Sequence, residues 1–387
     1  MDSKTNDEFV DIPWDSKSEQ PHVIRHRRSL AMRIRYAYKD YLKSSLTALL
    51  YSPVILATQI ALTLGYRPSK WKTPKGNGKE FAGLAVALES CDGPTLAKEI
   101  NALGVKHILL RIPVWEINKI GKYIDFLERI PDCEVIVCIM QTRKDVIDHE
   151  HWHKNMETIV QSCWPRVKHF QIGQGVNRSK WGFFSTGEFL AFANVAEDLR
   201  DTYEGIQLVG PSILDFESIP LIRAISHGFR LNWDVVGCAL YVDRRGSPRN
   251  RQLLFFDLIQ KIYHFVACIR FSTKAKQRFW ITEVNWPLSG NPGYSPTTDY
   301  TQVDEESAGK YLTEYYEDAW ATQLVERVYW WQLVAKGFGL IDPMDDGTLR
   351  KRPAYYAFKA ILEQSHQKET ELTKPIKTSE TEVSHIS

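Results

Sequence analysis

The segment Arg278-Phe279-Trp280-Ile281-Thr282-Glu283 is a short apolar run that ends in a carboxylate. A buried parallel strand has this composition, because both of its faces are covered by other parts of the protein. A glutamate at the carboxyl end of such a strand lies where barrel enzymes carry their functional groups. A strand that ends in a solvated glutamate would look the same, so the interpretation depends on the other strands.

Seven similar runs occur elsewhere in the chain, separated by amphipathic segments of helical period. They are Phe81–Leu88, His107–Ile112, Glu134–Met140, Lys168–Gly173, Ile206–Gly210, Trp233–Tyr241 and Glu326–Trp331. Strands that alternate with helices in this number predict an α/β fold, a (β/α)8 TIM barrel. A doubly wound open sheet would need a glycine-rich phosphate loop after its first strand, and residues 88–93 (LESCDG) do not form one.

The composition limits the class of protein. The chain has 387 residues, 43% of them hydrophobic and 25% charged, which is typical of a folded globular protein. Its net charge of +2 does not indicate nucleic acid as a partner. The six cysteines form no CxxC pair, and the chain begins with no cleavable signal peptide, so we expect a cytoplasmic or cytoplasm-facing protein.

A cluster of possible metal ligands follows the third predicted strand and comprises Asp145, Asp148, His149, Glu150, His151 and His153. Histidines and carboxylates bind metals at such short spacings. Only His149 and His153 have a helical i, i+4 spacing, however, and a distant third ligand is not obvious. The sequence favours a polar loop here, and we predict neither a metal nor a cofactor.

The sequence divides into four regions. Residues 1–20 and 365–387 are polar without apolar period and predict disordered tails. Residues 21–75 form a basic, partly hydrophobic helical extension with a linker, and residues 76–364 form the barrel.

The extension suggests contact with a membrane surface through residues 22–66. His22–Lys43 is a basic amphipathic segment, and Leu46–Tyr66 carries no charge over about the length of a membrane span, ~20 residues. Three alternatives remain open for Leu46–Tyr66: a helix that dips into the membrane, a single span, or a helical hairpin packed on the barrel. Lysine and arginine on both flanks argue against a simple crossing.

Polar and aromatic residues follow the carboxyl ends of most predicted strands, where a barrel has its functional face. The candidates are Glu89, Arg111, Gln141, Gln174, Asn177, Tyr241, Glu283, Trp286 and Trp331. Carboxylates, amides and aromatic rings together suit a carbohydrate ligand. Arg244-Arg245 and Arg249–Arg251 follow the sixth strand and would either meet an anionic ligand or form solvated loop charge.

Several motifs in this order resemble the clan A glycoside hydrolases, which are retaining (β/α)8 enzymes. The motifs are Leu110-Arg111-Ile112-Pro113, residues 172–178 (IGQGVNR), Trp280-Ile281-Thr282-Glu283, Tyr329-Trp330-Trp331, and residues 339–342 (GLID) with 352–359 (RPAYYAFK). The resemblance implies that Glu283 is the nucleophile, that Arg111 supports it, that Tyr241 orients it and that Trp331 forms the floor of the sugar site.

One position departs from the family pattern. The family has Asn-Glu at the end of strand four, whereas this chain has Gln174-Gly175, so the general acid/base carboxylate is missing. Retaining hydrolysis uses two carboxyl groups about 5 Å apart. Candidates to replace the missing group are Glu89, Glu116, Glu217 and Asp243.

These observations leave three hypotheses for function. The first is a glycoside-hydrolase-like protein that acts on, or transfers, a glycosyl group of a membrane- or envelope-linked glycan. The second is a catalytically degenerate barrel that binds an oligosaccharide or glycolipid, and the third is a scaffold in envelope-glycan assembly.

Overall fold

The computed structural model describes residues 30–364 apart from residues 70, 72, 74–76 and 291–300, with side chains described from residue 37 onward. The two predicted tails and the beginning of the basic segment lie outside the described residues. The boundaries predicted for the four regions therefore stay predictions.

Among the described residues, eight parallel strands close into a barrel in sequential order. The closure is made by β1 and β8, which pair from Ala82 opposite Val328 to Ala85 opposite Trp331. The predicted (β/α)8 fold is confirmed. The strands are β1 (Ala82–Ala87), β2 (His107–Pro113), β3 (Glu134–Met140), β4 (His169–Ile172), β5 (Gln207–Leu214), β6 (Val235–Ala239), β7 (Phe279–Val284) and β8 (Arg327–Trp331).

Helices lie between the strands and cover the barrel from outside. They are α1 (Leu30–Thr63), α2 (Gly78–Phe81), α3 (Gly93–Leu103), α4 (Ile120–Arg129), α5 (Arg143–Ile147), α6 (His149–Cys163), α7 (Thr186–Asn194), α8 (Asp198–Thr202), α9 (Ser218–Ile225), α10 (Leu258–Arg270), α11 (Glu305–Ala321) and α12 (Pro353–Glu363). A small antiparallel pair, β9 (Ile341–Pro343) and β10 (Leu349–Lys351), precedes α12.

Local sequence signals set the helix boundaries, as α3 illustrates. Asp92 caps its first turn by accepting a hydrogen bond from the Thr95 amide, and Gly104 ends it in the left-handed conformation with φ +69°. Between these caps Leu96, Ile100 and other apolar residues repeat at helical spacing and are buried against the barrel. The result is a helix that fixes the position of β2 and its Arg111.

Over residues 30–63 the N-terminal extension is one helix and not the hairpin that was one of the three alternatives. The backbone of α1 is kinked at Ala37, and the helix packs along α9 and α10. Two of its polar residues contact the barrel: Asp40 accepts a hydrogen bond from the Gly187 amide at 2.8 Å, and the Gln59 side chain lies 3.0 Å from Nδ1 of His264.

The amino-terminal end of the barrel holds a buried cluster of charged and titratable groups. Arg327 donates two hydrogen bonds of 2.8 Å to Glu134, and His107 and His169 lie within 3.6 Å of the same carboxylate. Burial and the nearby Arg327 lower the pKa of His107 to about 3. Burial likewise lowers the pKa of His169. Both histidines are therefore neutral in the folded protein at neutral pH.

This cluster predicts that acid weakens the fold. In the unfolded chain His107 binds a proton near pH ~6.5, whereas in the folded protein it does so only near pH 3. The unfolded state thus binds more protons in this window, and the free energy of unfolding falls by about 1.4 kcal/mol per pH unit as pH decreases. We measure the free energy of unfolding by urea titration between pH 6 and pH 4. In His107→Gln we expect it to fall less steeply with decreasing pH, by up to about 1.4 kcal/mol per pH unit less than in wild type. An equal fall in the variant and in wild type would contradict the assignment. His151→Gln, at a half-exposed histidine of α6, is the control.

Candidate active site

Glu283 lies on β7 at the carboxyl ends of the strands, and its carboxylate accepts three hydrogen bonds. Oε2 accepts from Arg111 at 2.5 Å and from the amide of Gln174 at 2.7 Å. Oε1 accepts from the hydroxyl of Tyr241. The donors come from β2, from the loop after β4 and from the segment after β6, so the barrel brings them together from distant parts of the sequence.

Two aromatic rings pack against arginines beside this carboxylate. The guanidinium of Arg111 lies 3.3 Å from the ring centre of Trp331, and that of Arg245 lies 3.3 Å from the ring centre of Tyr241. Such contacts stabilise both the cation and the orientation of the ring. Burial and the charge of Glu283 raise the pKa of Tyr241 well above its usual value, so Tyr241 stays a hydrogen-bond donor.

The loop after β4 carries Gln174 and Gly175. Gln141 holds this loop, because its side-chain amide donates hydrogen bonds of 2.9 Å to the carbonyls of Gln174 and Trp181. Oε1 of Gln174 accepts hydrogen bonds from Gln171 and Ser212, which turns its amide nitrogen toward Glu283. Gln174 is therefore fixed as a donor to the candidate nucleophile.

Gly175 has no space for a side chain. Its backbone has φ +61°, a conformation that other residues adopt with strain. A Cβ at this position would overlap the indole ring of Trp181. Trp181 thus fills the space beside Gly175, and a larger side chain could not occupy it in this arrangement.

A cavity of about 400 Å³ opens above Glu283. Its wall contains aromatic, amide and charged groups from the ends of several strands. The described residues that line it are Arg111, Gln174, Arg178, Lys180, Trp181, Leu214, Asp215, Tyr241, Val242, Arg244, Arg245, Glu283, Asn285, Pro287, Thr301, Trp331 and Phe338. The volume lies within the range of small-ligand sites, ~300–1,000 Å³.

The structure brings five of the nine candidate residues into this wall: Arg111, Gln174, Tyr241, Glu283 and Trp331. It places the other four, Glu89, Gln141, Asn177 and Trp286, outside it.

Those four residues have other surroundings. Gln141 supports the β4 loop, and Asn177 exchanges hydrogen bonds with the backbone of Leu214. Trp286 is completely buried, with its ring stacked on Trp330 and its Nε1 donating to a backbone carbonyl. Glu89 lies outside the wall in the turn after β1. A strand-end position shows which end of the barrel a residue occupies but not which way its side chain points.

The proposed replacements for the acid/base group are also outside the cavity wall. Glu116 binds Lys122 at 2.5 Å and Tyr123 at 2.6 Å, and Glu217 pairs with Arg178. Apart from Glu283, the carboxylate among the described lining residues is Asp215, which is itself in an ion pair of 2.5 Å with Arg178.

Lys180, Trp181 and Asn285 line the cavity but were not among the candidates predicted from the sequence. A signal was present for the first two, since a cation and an aromatic residue follow Gln174 closely in the same loop. Lys180 and Trp181 lie several residues beyond the end of β4, so the sequence did not show that they return to the cavity. They do so because the Gln141 hydrogen bonds hold the loop over the mouth of the barrel.

The comparisons with solved structures find barrels of the same architecture. A family 1 β-glucosidase from Thermotoga maritima aligns with a TM-score of 0.52 and 10% identity, over 75% of this chain and 97% of that chain. The β-glucosidase from Thermotoga maritima in complex with deoxynojirimycin aligns with a TM-score of 0.53 and 12% identity, over 75% and 98%.

The barrel has a glycoside-hydrolase-like fold. At this identity the similarity establishes the fold alone. A scan of protein-family models gave no match to the sequence, and a search of curated proteins gave none either.

The closed space at Gly175 gives a stability prediction. We expect Gly175→Ala to lower the free energy of unfolding by at least about 2 kcal/mol, because it adds backbone strain to overlap with Trp181. Urea denaturation measures the change. Two controls separate the contributions. Gly347→Ala, at φ +83° with open space around it, measures the backbone strain without overlap. Gly121→Ala, in an exposed turn of α4, measures the effect of replacing a glycine that has neither strain nor overlap. A Gly175→Ala effect equal to that of Gly347→Ala would show that Trp181 does not fill the position.

Proposed function

We propose that the cavity above Glu283 binds a carbohydrate, and that Glu283 acts only on glycosyl groups whose leaving group needs no proton. The observation that carries this proposal is a carboxylate held by three donors at Glu283 together with a filled space beside Gly175. Three donors hold the Glu283 carboxylate, while Trp181 occupies the space beside Gly175.

The chemistry follows from the two half-reactions of a retaining enzyme. Attack by a carboxylate on the anomeric carbon needs a nucleophile held in place, which Arg111, Gln174 and Tyr241 supply for Glu283. Departure of an alcohol needs a proton donor, which general acid catalysis makes about 10²–10⁴-fold faster. Since Asp215 is in an ion pair with Arg178, no described carboxyl group of the wall stands ready to donate that proton.

A second candidate function is carbohydrate binding without turnover. It is supported by the same contacts, because a carboxylate that accepts three hydrogen bonds and pairs with Arg111 is a weaker nucleophile than a free one. Trp331 and Tyr241 contribute to the cavity wall in either case. The two candidates differ in whether a covalent bond to Glu283 forms.

An assay with two classes of glycoside separates them. We expect wild type to release dinitrophenolate from dinitrophenyl glycosides, to leave alkyl glycosides intact, and to lose the first activity by at least about 10³-fold in Glu283→Gln. Absorbance of the released phenolate measures turnover.

Comparable turnover of alkyl glycosides would show that another acid takes over. If neither wild type nor the variant releases dinitrophenolate, and calorimetry still shows sugar binding, the second candidate function, binding without turnover, is favoured.

We further propose that the face of α1 opposite the barrel lies on an anionic membrane surface. By length and composition Ala37–Thr63 could also cross a membrane. Its outward residues are strongly apolar: Leu49 and Leu50 are 70% and 76% exposed, whereas Ile55 and Leu62 on the inner face are buried. A face of this kind supports insertion into the headgroup region, and exposed Lys39 and Lys43 add attraction to anionic lipids.

The docked polar residues favour surface attachment over a span. Crossing the bilayer would remove Asp40 from Gly187 and Gln59 from His264, and would place charged side chains in hydrocarbon. Lying on the surface keeps all of these contacts.

A neighbouring loop extends the apolar surface. Leu253, Leu254 and Phe255 are each more than 70% exposed, and both leucines have positive φ angles of 51° and 68°. The loop is next to α1, because Phe256 packs on His264, which lies beside Gln59. Two strained, exposed leucines at a loop tip support a binding role for it.

Flotation on sucrose gradients tests the attachment. We expect wild type to float with vesicles that contain anionic phosphatidylglycerol, and Leu49→Gln/Leu50→Gln to weaken binding at least tenfold, since each buried leucine contributes about 1.5–3 kcal/mol. Ile147→Gln, at an exposed isoleucine of α5, is the matched control. Equal flotation of wild type and the double variant would contradict the proposal.

A further inference from the structure

The wall of the cavity above Glu283 carries more positive than negative charge. Five cationic side chains line it, Arg111, Arg178, Lys180, Arg244 and Arg245, and they face two carboxylates, Asp215 and Glu283. The excess is three positive charges in a site of about 400 Å³. A neutral sugar would leave this charge unbalanced.

Three of these cations have no carboxylate partner. Arg111 pairs with Glu283, and Arg178 pairs with Asp215. Within the described residues, by contrast, no acidic group lies within ion-pair distance of Lys180, Arg244 or Arg245. Arg245 donates instead to the backbone and side-chain oxygens of Asn285.

Lys180 follows Gly175 in the loop after β4, where the family has its proton donor. It is half-buried, and burial together with nearby Arg178 lowers its pKa, which shows that its charge is poorly compensated by the protein. A cation thus lies in the loop where a retaining hydrolase carries its acid.

Arg244 and Arg245 approach from the segment after β6. Both have positive φ angles, 49° and 52°, and the strain places two consecutive guanidinium groups at the cavity. Such strain persists only where the surrounding structure enforces it, and strained residues cluster at ligand-binding and active sites. Arg244 makes no ion pair among the described residues and is free to bind a ligand.

We propose that the site takes a glycosyl phosphate, with the sugar over Glu283 and the phosphate held by Lys180 and Arg244. The proposal rests on the carbohydrate site proposed above and names its ligand. Phosphate is bound well by lysine and arginine. A glycosyl phosphate that keeps one proton on its phosphate leaves as hydrogen phosphate, an anion far less basic than an alkoxide, so it needs no proton from the enzyme as an alcohol would.

The reaction then balances without a general acid. A carboxylate oxygen of Glu283 forms a bond to the anomeric carbon, and the bond from that carbon to the phosphate oxygen breaks with its electron pair left on the phosphate. A hydroxyl of water or of an acceptor sugar next attacks the same carbon. The ester bond breaks, its electron pair returns to Glu283, and the hydroxyl proton goes to solvent.

Binding calorimetry on the full chain tests the assignment. The probes are glucose, galactose, mannose and N-acetylglucosamine, each as the free sugar and as the glycosyl phosphate, with glucuronate, galacturonate and inorganic phosphate alone for comparison. We expect at least one glycosyl phosphate to bind ten or more times tighter than its free sugar. Lys180→Gln and Arg244→Gln should each lower that affinity about tenfold. Arg251→Gln, at an exposed arginine outside the cavity wall, should leave it unchanged.

The outcomes separate this inference from the proposed function. Equal affinity for free and phosphorylated sugars would overturn the phosphate assignment and leave the carbohydrate site intact. Tighter binding of uronates than of glycosyl phosphates would also overturn it, by placing the anion on the ring. Inorganic phosphate binding as tightly as any glycosyl phosphate would show an anion site without a sugar site, and no binding by any sugar would remove the proposed function itself.

Discussion

The candidate site depends on how the charge of one buried carboxylate, that of Glu283, is compensated. Glu283 is 9% exposed, and an ionised group this far from water costs several kcal/mol unless charge and hydrogen bonds replace its hydration. Arg111, Gln174 and Tyr241 provide that replacement, and they come from three different segments of the barrel. The barrel must therefore close in the right register for the carboxylate to be tolerated. Closure of the barrel in this register is therefore required by the fold and by the site alike.

The position of the strands could be predicted because buried parallel strands are short apolar runs between turn residues. The prediction ended the fifth strand at Gly210, yet β5 continues to Leu214. Its pairing with β6 shifts by one residue between Pro211 and Ile213, and that bulge absorbs the irregular residues. Strand ends could also be assigned to the functional face. The direction of a side chain and the folding of a loop could not be predicted, because they depend on tertiary contacts. Trp286, which points away from the cavity, and Lys180, which a loop brings into it, are examples.

The extension shows how the sequence can be ambiguous about orientation. Asp40 and Gln59 weaken Ala37–Thr63 as a membrane span, whereas in the structure they attach the helix to the barrel. Docking that is partly polar leaves most leucines of α1 exposed, whereas the exposed face of an ordinary surface helix is polar. If this face lies on a membrane, the cationic cavity belongs to a barrel held at that membrane surface.

The proposed function requires Glu283 to act as the nucleophile although Trp181 fills the space beside Gly175. The decisive test is labelling with fluorinated dinitrophenyl glycosides, which form long-lived glycosyl esters, followed by intact-mass and peptide analysis. We expect one glycosyl group per chain, on the peptide that contains Glu283, and none on Glu283→Gln. A label on Asp215, or no label on a protein that still binds the sugar, would contradict it.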